Sequence, residues 1–171
     1  MSSLIVFFSR KDENYVGGIL KNLEIGNTCR VAGIIKGLTE SQIFEIEMKE
    51  PYSKHYNECI AEAQRDQQGN ARPRLVSYPK SISEYDVIYL GFPNYWGTMP
   101  MAVFTFFLEH FDFTGKTIRP FCTHEGSGFG SSKNDIQKTC PTAKVAQGLA
   151  IHGSRIDRAE IEIKKWLEVI R

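Results

Sequence analysis

Hydroxyl, amide and aromatic side chains gather in three short stretches of this chain, at spacings that suit ligand binding better than ordinary connection. Residues 91–100 read GFPNYWGTMP, with Pro93, Asn94, Tyr95, Trp96 and Gly97 following an apolar run. Two adjacent aromatics in a loop carry apolar area that is hard to bury. A flat side chain there can stack on a planar ring, a gain of about 0.5–1.5 kcal/mol beyond area burial. Asn94 and Gly97 suit turns or backbone donors, and the prolines stiffen the path. The plainer alternative is that Tyr95 and Trp96 pack on neighbouring loops. In the second stretch, Ser9 and Arg10 follow an apolar run, and Gly26-Asn27-Thr28 opens a helical pattern. Hydroxyls beside the unpaired N–H groups of a helix start bind phosphate well, and Arg10 would add charge. Strand end and helix cap is the alternative for Ser9, Asn27 and Thr28. The third stretch, THEGSGFGSS at 123–132, contains Thr123, His124, Glu125, Gly126, Ser127 and Gly128. Its glycines allow close approach of backbone to a ligand, although a flexible loop capping the next helix would have the same composition.

Other chemistries find less support. The glycine-rich segment lacks the GxxxxGK[ST] pattern, and no GxGxxG opens the first βα turn, which disfavours nucleotide-loop and dinucleotide folds. No nucleophile elbow or Ser/His/Asp arrangement is visible, so no residue is nominated as catalytic. His55, His110 and His152 fall in separate elements, and Trp166 reads as a packing residue. Asp12-Glu13 after the first apolar run suggests a phospho-receiver domain. That domain needs an aspartate where this chain has Gly91-Phe92-Pro93. Cys29, Cys59, Cys122 and Cys140 form no CxxC pair and no zinc-type cluster, so no metal is expected and the thiols read as reduced and separate.

The whole composition is that of an ordinary globular protein: 171 residues, 42% hydrophobic, 24% charged and net charge +1. One domain spanning 1–171 is expected. A charge so near zero favours neither nucleic acid nor an anionic membrane as partner. The apolar run in MSSLIVFFSR is too short for a signal peptide and no segment is long enough to span a bilayer, so a soluble, cytoplasmic protein is expected.

The elements that must position these stretches alternate. Residues 4–8 are apolar at every position, which suits a strand buried on both faces. A helical pattern runs from 28 to 37, and 43–48 alternates with Phe44, Ile46 and Met48 on one side. Residues 53–68 read as a polar helix, 85–92 as a central strand, and 100–111 as an apolar helix starting at proline. Residues 117–122 form a fourth strand, 132–138 a helix, and 143–151 contain a fifth strand. A last helix over 154–171 is expected to be capped by Ser154, with Ile156, Ile163, Leu167 and Ile170 inward. Five alternations of strand and helix predict a doubly wound α/β fold with a parallel sheet. Ligands bind such sheets beyond the carboxyl ends of the strands, where all three stretches would meet.

YDVIYLGFPNYWGTMP together with IRPFCTHEGSGFGSS resembles the flavodoxin-like FMN-binding proteins over essentially the whole chain, most nearly the short bacterial ones with a THxGSG segment. The resemblance implies a five-stranded parallel sheet of order 2-1-3-4-5, helices on both faces and bound FMN. It places Ser9, Asn27 and Thr28 at phosphate positions. Pro93 to Gly97 would lie beside the flavin ring with Trp96 stacking, and Thr123 to Gly128 would meet its pyrimidine edge. The family's compact S-x-T-G-N-T loop is here interrupted by residues 10–25, and Tyr15 in that insertion would sit as a lid. The expected function is electron transfer between redox partner proteins or to a small-molecule acceptor. The alternative on the same fold is an NAD(P)H-dependent quinone or nitro-compound reductase, and a third class is a binding module without cofactor. The oligomeric state stays open.

Overall fold

A computed structural model describes residues 1–169, apart from the side chains of residues 105 and 106. The expected inward residue Ile170 lies outside the described residues. The first run forms β1 (Ser3–Phe7), and its residues 4–8 are buried. Alternate side chains go to opposite faces of a strand. Leu4, Val6 and Phe8 enter one core, and Ile5 and Phe7 the other. A strand buried on both sides must therefore be apolar throughout, and this one is.

Two strands not expected from the pattern follow immediately: β2 (Asp12–Val16) and β3 (Ile19–Leu23), an antiparallel hairpin outside the main sheet. Its sequence carries little apolar periodicity, because β3 is exposed at Ile19–Asn22 and packs on no core. Gly17 and Gly18, both at positive φ, close its two-residue turn. Then come α1 (Asn27–Leu38), β4 (Gln42–Glu45), α2 (Tyr56–Gln68) and β5 (Val87–Pro93). β4 is shorter than the alternation over 43–48 suggests, yet Phe44, Ile46 and Met48 all join the same core.

The apolar stretch after Pro100 is not the regular helix expected. Ala102–Phe107 is π-helical and runs into a single α-turn, α3 (Leu108–His110). β6 (Thr117–His124) and α4 (Ser132–Thr139) follow. The expected fifth strand is two short ones, β7 (Lys144–Val145) and β8 (Leu149–His152). Both lie parallel to β6: β7 pairs at Thr117 and Ile118, β8 from Phe121 to His124. The break falls opposite Arg119 and Pro120, and a proline has no N–H for a ladder. Gly148 in the gap packs against Phe129, where a Cβ would not fit.

The five-stranded count is corrected accordingly. The main sheet has six parallel strands, ordered β4-β1-β5-β6-β7 with β8 also on β6. The last helix is also corrected. Gly153–Arg158 is a 3-10 segment, followed by α5 (Glu160–Glu168). The 3-10 segment is capped by His152, whose Nδ1 accepts from the Ser154 N–H, and α5 has Ala159 at its N-cap position with no side-chain cap, so Ser154 caps neither.

Helices cover both faces. α1, Ile156 and α5 lie over Ile5, Phe7, Tyr89 and Phe121, while the π-helical segment, Leu108 and Ile136 lie over Val6, Leu90 and Phe92. α2 adds nothing to either core. Its buried residues Cys59 and Ala63 face a cavity instead. Among the described residues, no helix is long and apolar enough to cross a membrane.

Candidate functional site

The carboxyl ends of β1, β5 and β6 bring the three sequence stretches together. β1 and β5 are paired from Ser3–Val87 to Phe7–Gly91, and β5 and β6 from Val87–Thr117 to Pro93–Thr123. Every loop that leaves these ends therefore starts from one rim.

The loop after β5 answers why Tyr95 and Trp96 are neighbours. They point in different directions. Tyr95 turns inward, its ring edge-on to Phe8 at 6.0 Å. Its hydroxyl is buried beside the Cys59 thiol, and burial first of all raises its pKa well above the ordinary tyrosine range. Trp96 turns outward and is 48% exposed. Tyr95 and Thr98 exchange backbone hydrogen bonds of 2.7 and 3.2 Å around Trp96 and Gly97, both at positive φ (51° and 81°). Two consecutive left-handed residues form a tight primed turn. For tryptophan the left-handed conformation costs about 1–2 kcal/mol, and such strain persists where surroundings over-determine it. Here the indole Nε1–H donates to the Ile60 carbonyl at 2.8 Å, and the Gln67 amide donates to the Trp96 carbonyl at 3.1 Å. The Asn94 side-chain oxygen accepts from the Gly97 N–H at 3.0 Å.

The loop after β6 is stitched to this turn. Asn94 donates through its side chain to the Gly128 carbonyl at 2.8 Å and through its backbone to the Thr123 carbonyl at 2.9 Å. The Gly97 carbonyl accepts from the Ser131 N–H at 2.8 Å. His124 Nδ1 accepts from the Gly126 N–H at 2.9 Å. An acceptor Nδ1 leaves the neutral ring's proton on Nε2. Burial first, and then His152 and Arg155, lower the His124 pKa, so the ring is a neutral donor rather than a cation near pH 7.

At the start of α1, capping comes from across the insertion. Ser9 Oγ accepts from the Cys29 N–H at 3.0 Å, and neither Asn27 nor Thr28 caps the helix. Gly26 lies so close to Ser9 and the Arg10 carbonyl that a Cβ would collide with both. The Thr28 hydroxyl meets that of Thr123 at 2.8 Å in a buried pair. The N–H groups of Asn27 and Thr28 have no partner among the described residues. They are donors at the positive end of the helix.

A cavity of about 380 Å³ joins these parts. Of the residues singled out in the sequence, Arg10, Asn27, Thr28, Pro93, Asn94, Tyr95, Trp96, Gly97, Thr123, His124, Glu125 and Ser127 line it. Ser9, Gly126 and Gly128 do not; they act behind the wall through the bonds just described. Arg10 lines it, yet its guanidinium is turned away onto backbone: it donates to the carbonyls of Glu13 (3.2 Å), Ser53 (2.8 Å) and Lys54 (2.9 Å). It clamps the hairpin base to the segment before α2. The opposite wall is made of Asn14, Tyr15, Tyr56, Cys59, Ile60 and Ala63. Tyr56, Cys59, Ile60 and Ala63 recur at i, i+3, i+4 and i+7, a helical stripe legible in the sequence. The sequence reading assigned them no role because the helix is polar elsewhere.

The family model described as flavodoxin matches residues 23–170. This chain belongs to the flavodoxin family. Among solved structures, this flavodoxin is similar to a candidate flavoprotein from Bacteroides eggerthii, at 25% identity and TM-score 0.76, covering 99% of this chain and 97% of that one. A second candidate flavoprotein, from Bacteroides uniformis, is 26% identical with TM-score 0.74, covering 95% and 97%. A flavoprotein from Lactobacillus acidophilus, solved in complex with FMN, shares the fold at 18% identity and TM-score 0.66, covering 97% and 98%. No match is found among curated proteins. The matched region of this flavodoxin begins at the last residue of the hairpin, so the insertion lies almost wholly outside it.

Proposed function

We propose that this flavodoxin binds FMN in the 380 Å³ cavity and uses it to pass electrons between redox partners. The observation that carries the reading is that one cavity connects the Trp96 turn with the open N–H groups of Asn27 and Thr28. The chemistry of the lining fits the cofactor. One end is aromatic and flat. The other offers neutral donors at a helix start, suited to a phosphate, and the His124 loop lies beside both. In this reading Asn27 and Thr28 hold the phosphate, Trp96 and Tyr95 flank the ring, and the loop from Thr123 to Gly128 meets its polar edge. FMN supplies the electron-transfer chemistry, and the protein contributes position, exclusion of water and hydrogen bonds. Quenching of flavin fluorescence on titration with the purified protein tests this. Unchanged fluorescence and a protein that stays colourless would defeat it.

A second reading, an NAD(P)H-dependent reductase of quinones or nitro compounds, is supported by the net charge of +1. A near-neutral surface lacks the field that steers a carrier to charged partners. Oxidation of NADPH by a quinone with the FMN-loaded protein separates the two: sustained turnover selects the reductase, and none selects the carrier.

A further inference from the structure

The hairpin of β2 and β3 is fixed at its base and tied at its tip by one side-chain hydrogen bond. At the base, Arg10 grips the carbonyls of Ser53 and Lys54, and the Glu13 carboxylate accepts from the Tyr56 N–H at 2.8 Å. At the tip, the Gly17 N–H donates to Glu125 Oε2 at 2.9 Å. Between these ties, Asn14 and Tyr15 form part of the cavity wall, and the Tyr15 ring stacks on Tyr56 at 6.0 Å with an interplanar angle of 29°. The outer strand adds little restraint, because Ile19 to Asn22 face solvent; Val16, next to the tip, is the buried residue of the ribbon. Glu125 is well placed to hold it. Its carboxylate rests where Gly153 has no side chain, and a Cβ there would collide with it. His152 Nε2 lies 3.8 Å away, with the His152 tautomer set by the Ser154 N–H on Nδ1.

We propose that Glu125 is a positioning residue for the cofactor: by holding Gly17 it keeps the hairpin across the cavity as a strap, and release of that tip is the step through which FMN enters and leaves. The proposal rests on the FMN reading above. A hydrogen bond to a carboxylate is stronger than one between neutral groups, so its loss is visible in a rate. Glu125 also brings a negative charge near a phosphate, which would slow capture of FMN but not of riboflavin. The two ligands therefore separate strap from charge.

The test has two arms. Glu125→Ala is expected to speed dissociation of both FMN and riboflavin about tenfold or more in stopped-flow fluorescence. A change confined to FMN, or none, overturns the strap. In the second arm the tip is locked. An ideal Cβ on Gly17 lies 3.8 Å from Ser154 Cβ, a spacing that a disulfide requires. The oxidised Gly17→Cys/Ser154→Cys protein is expected to bind and release FMN at least tenfold more slowly, and reduction with dithiothreitol should restore both rates. Unchanged rates after oxidation overturn the proposal. Amide hydrogen exchange of the flavin-free protein reads the same tie. Gly17 and residues 14–20 should exchange faster in Glu125→Ala than in the wild type, and equal exchange overturns it even if no flavin binds. Failure to bind FMN at all counts against the FMN reading alone.

Discussion

The hydroxyls of Thr28 and Thr123 stand 2.8 Å apart and buried, joining the start of the first helix to the end of β6 across 95 residues of sequence. The pair fixes the open N–H groups at the start of α1 relative to the loop that contains His124 and Glu125. One hydroxyl donates to the other, and both are nearly inaccessible from the surface.

Removing one member leaves the other unpaired. Thr123→Val should therefore cost about 1–3 kcal/mol of stability, whereas Thr28→Val/Thr123→Val should cost less than the sum of the singles, because both partners then become apolar together. Urea denaturation of the three variants checks this. Strict additivity would mean that the hydroxyls do not interact.

Trp96→Phe keeps a ring but loses the Nε1–H bond to Ile60 that orients it. FMN affinity should fall about tenfold, the equivalent of about 1.4 kcal/mol. A flavin fluorescence titration gives the value. An unchanged affinity would show that the indole does not face the ring.

Gly130 has positive φ, and a Cβ on it would collide with the Gly97 backbone carbonyl. Backbone cannot yield as a flexible side chain can. Gly130→Ala should lower stability by about 2–4 kcal/mol and loosen the contact between Gly97 and Ser131. Thermal unfolding measures the first effect, and amide exchange at Ser131 the second.

His124 titrates below its ordinary value because burial and the neighbouring His152 and Arg155 oppose its charge. The unfolded chain therefore binds a proton more readily than the folded one. Stability should be complete above about pH 6.5 and fall as pH drops from there through the lowered folded pKa. Replacing His124 by Gln should flatten this part of the profile. A slope unchanged in His124→Gln would assign it to other groups.

The four cysteines should differ in reactivity. Burial pushes Cys122 up to about 12 and Cys140 up to about 11, and it raises Cys59 as well. Cys29 is raised too, by burial and by Glu45, but it is the one that is not fully buried. At pH 8, iodoacetamide should label Cys29 first and Cys122 only after denaturation, as read by mass spectrometry.

The sequence by itself determined the layered α/β design, because strands buried on both faces must be apolar at every position, as residues 4–8 and 87–92 are. It also determined which rim would bear the site, since Ser9, the Tyr95-Trp96 pair and the glycine-rich segment all follow strand ends. What only the tertiary structure decided depends on contacts between distant residues. The hairpin of residues 12–23 pairs polar and exposed side chains, so no periodicity marks it. The split of the last strand reflects Pro120 on a different strand and the fit of Gly148 against Phe129. The work of Arg10 is set by carbonyls 43 and 44 residues away. The outward turn of Trp96 is held by α2, and the hairpin tip by Glu125, because hydrogen-bond partners are chosen by proximity in space, which the order of residues does not encode locally.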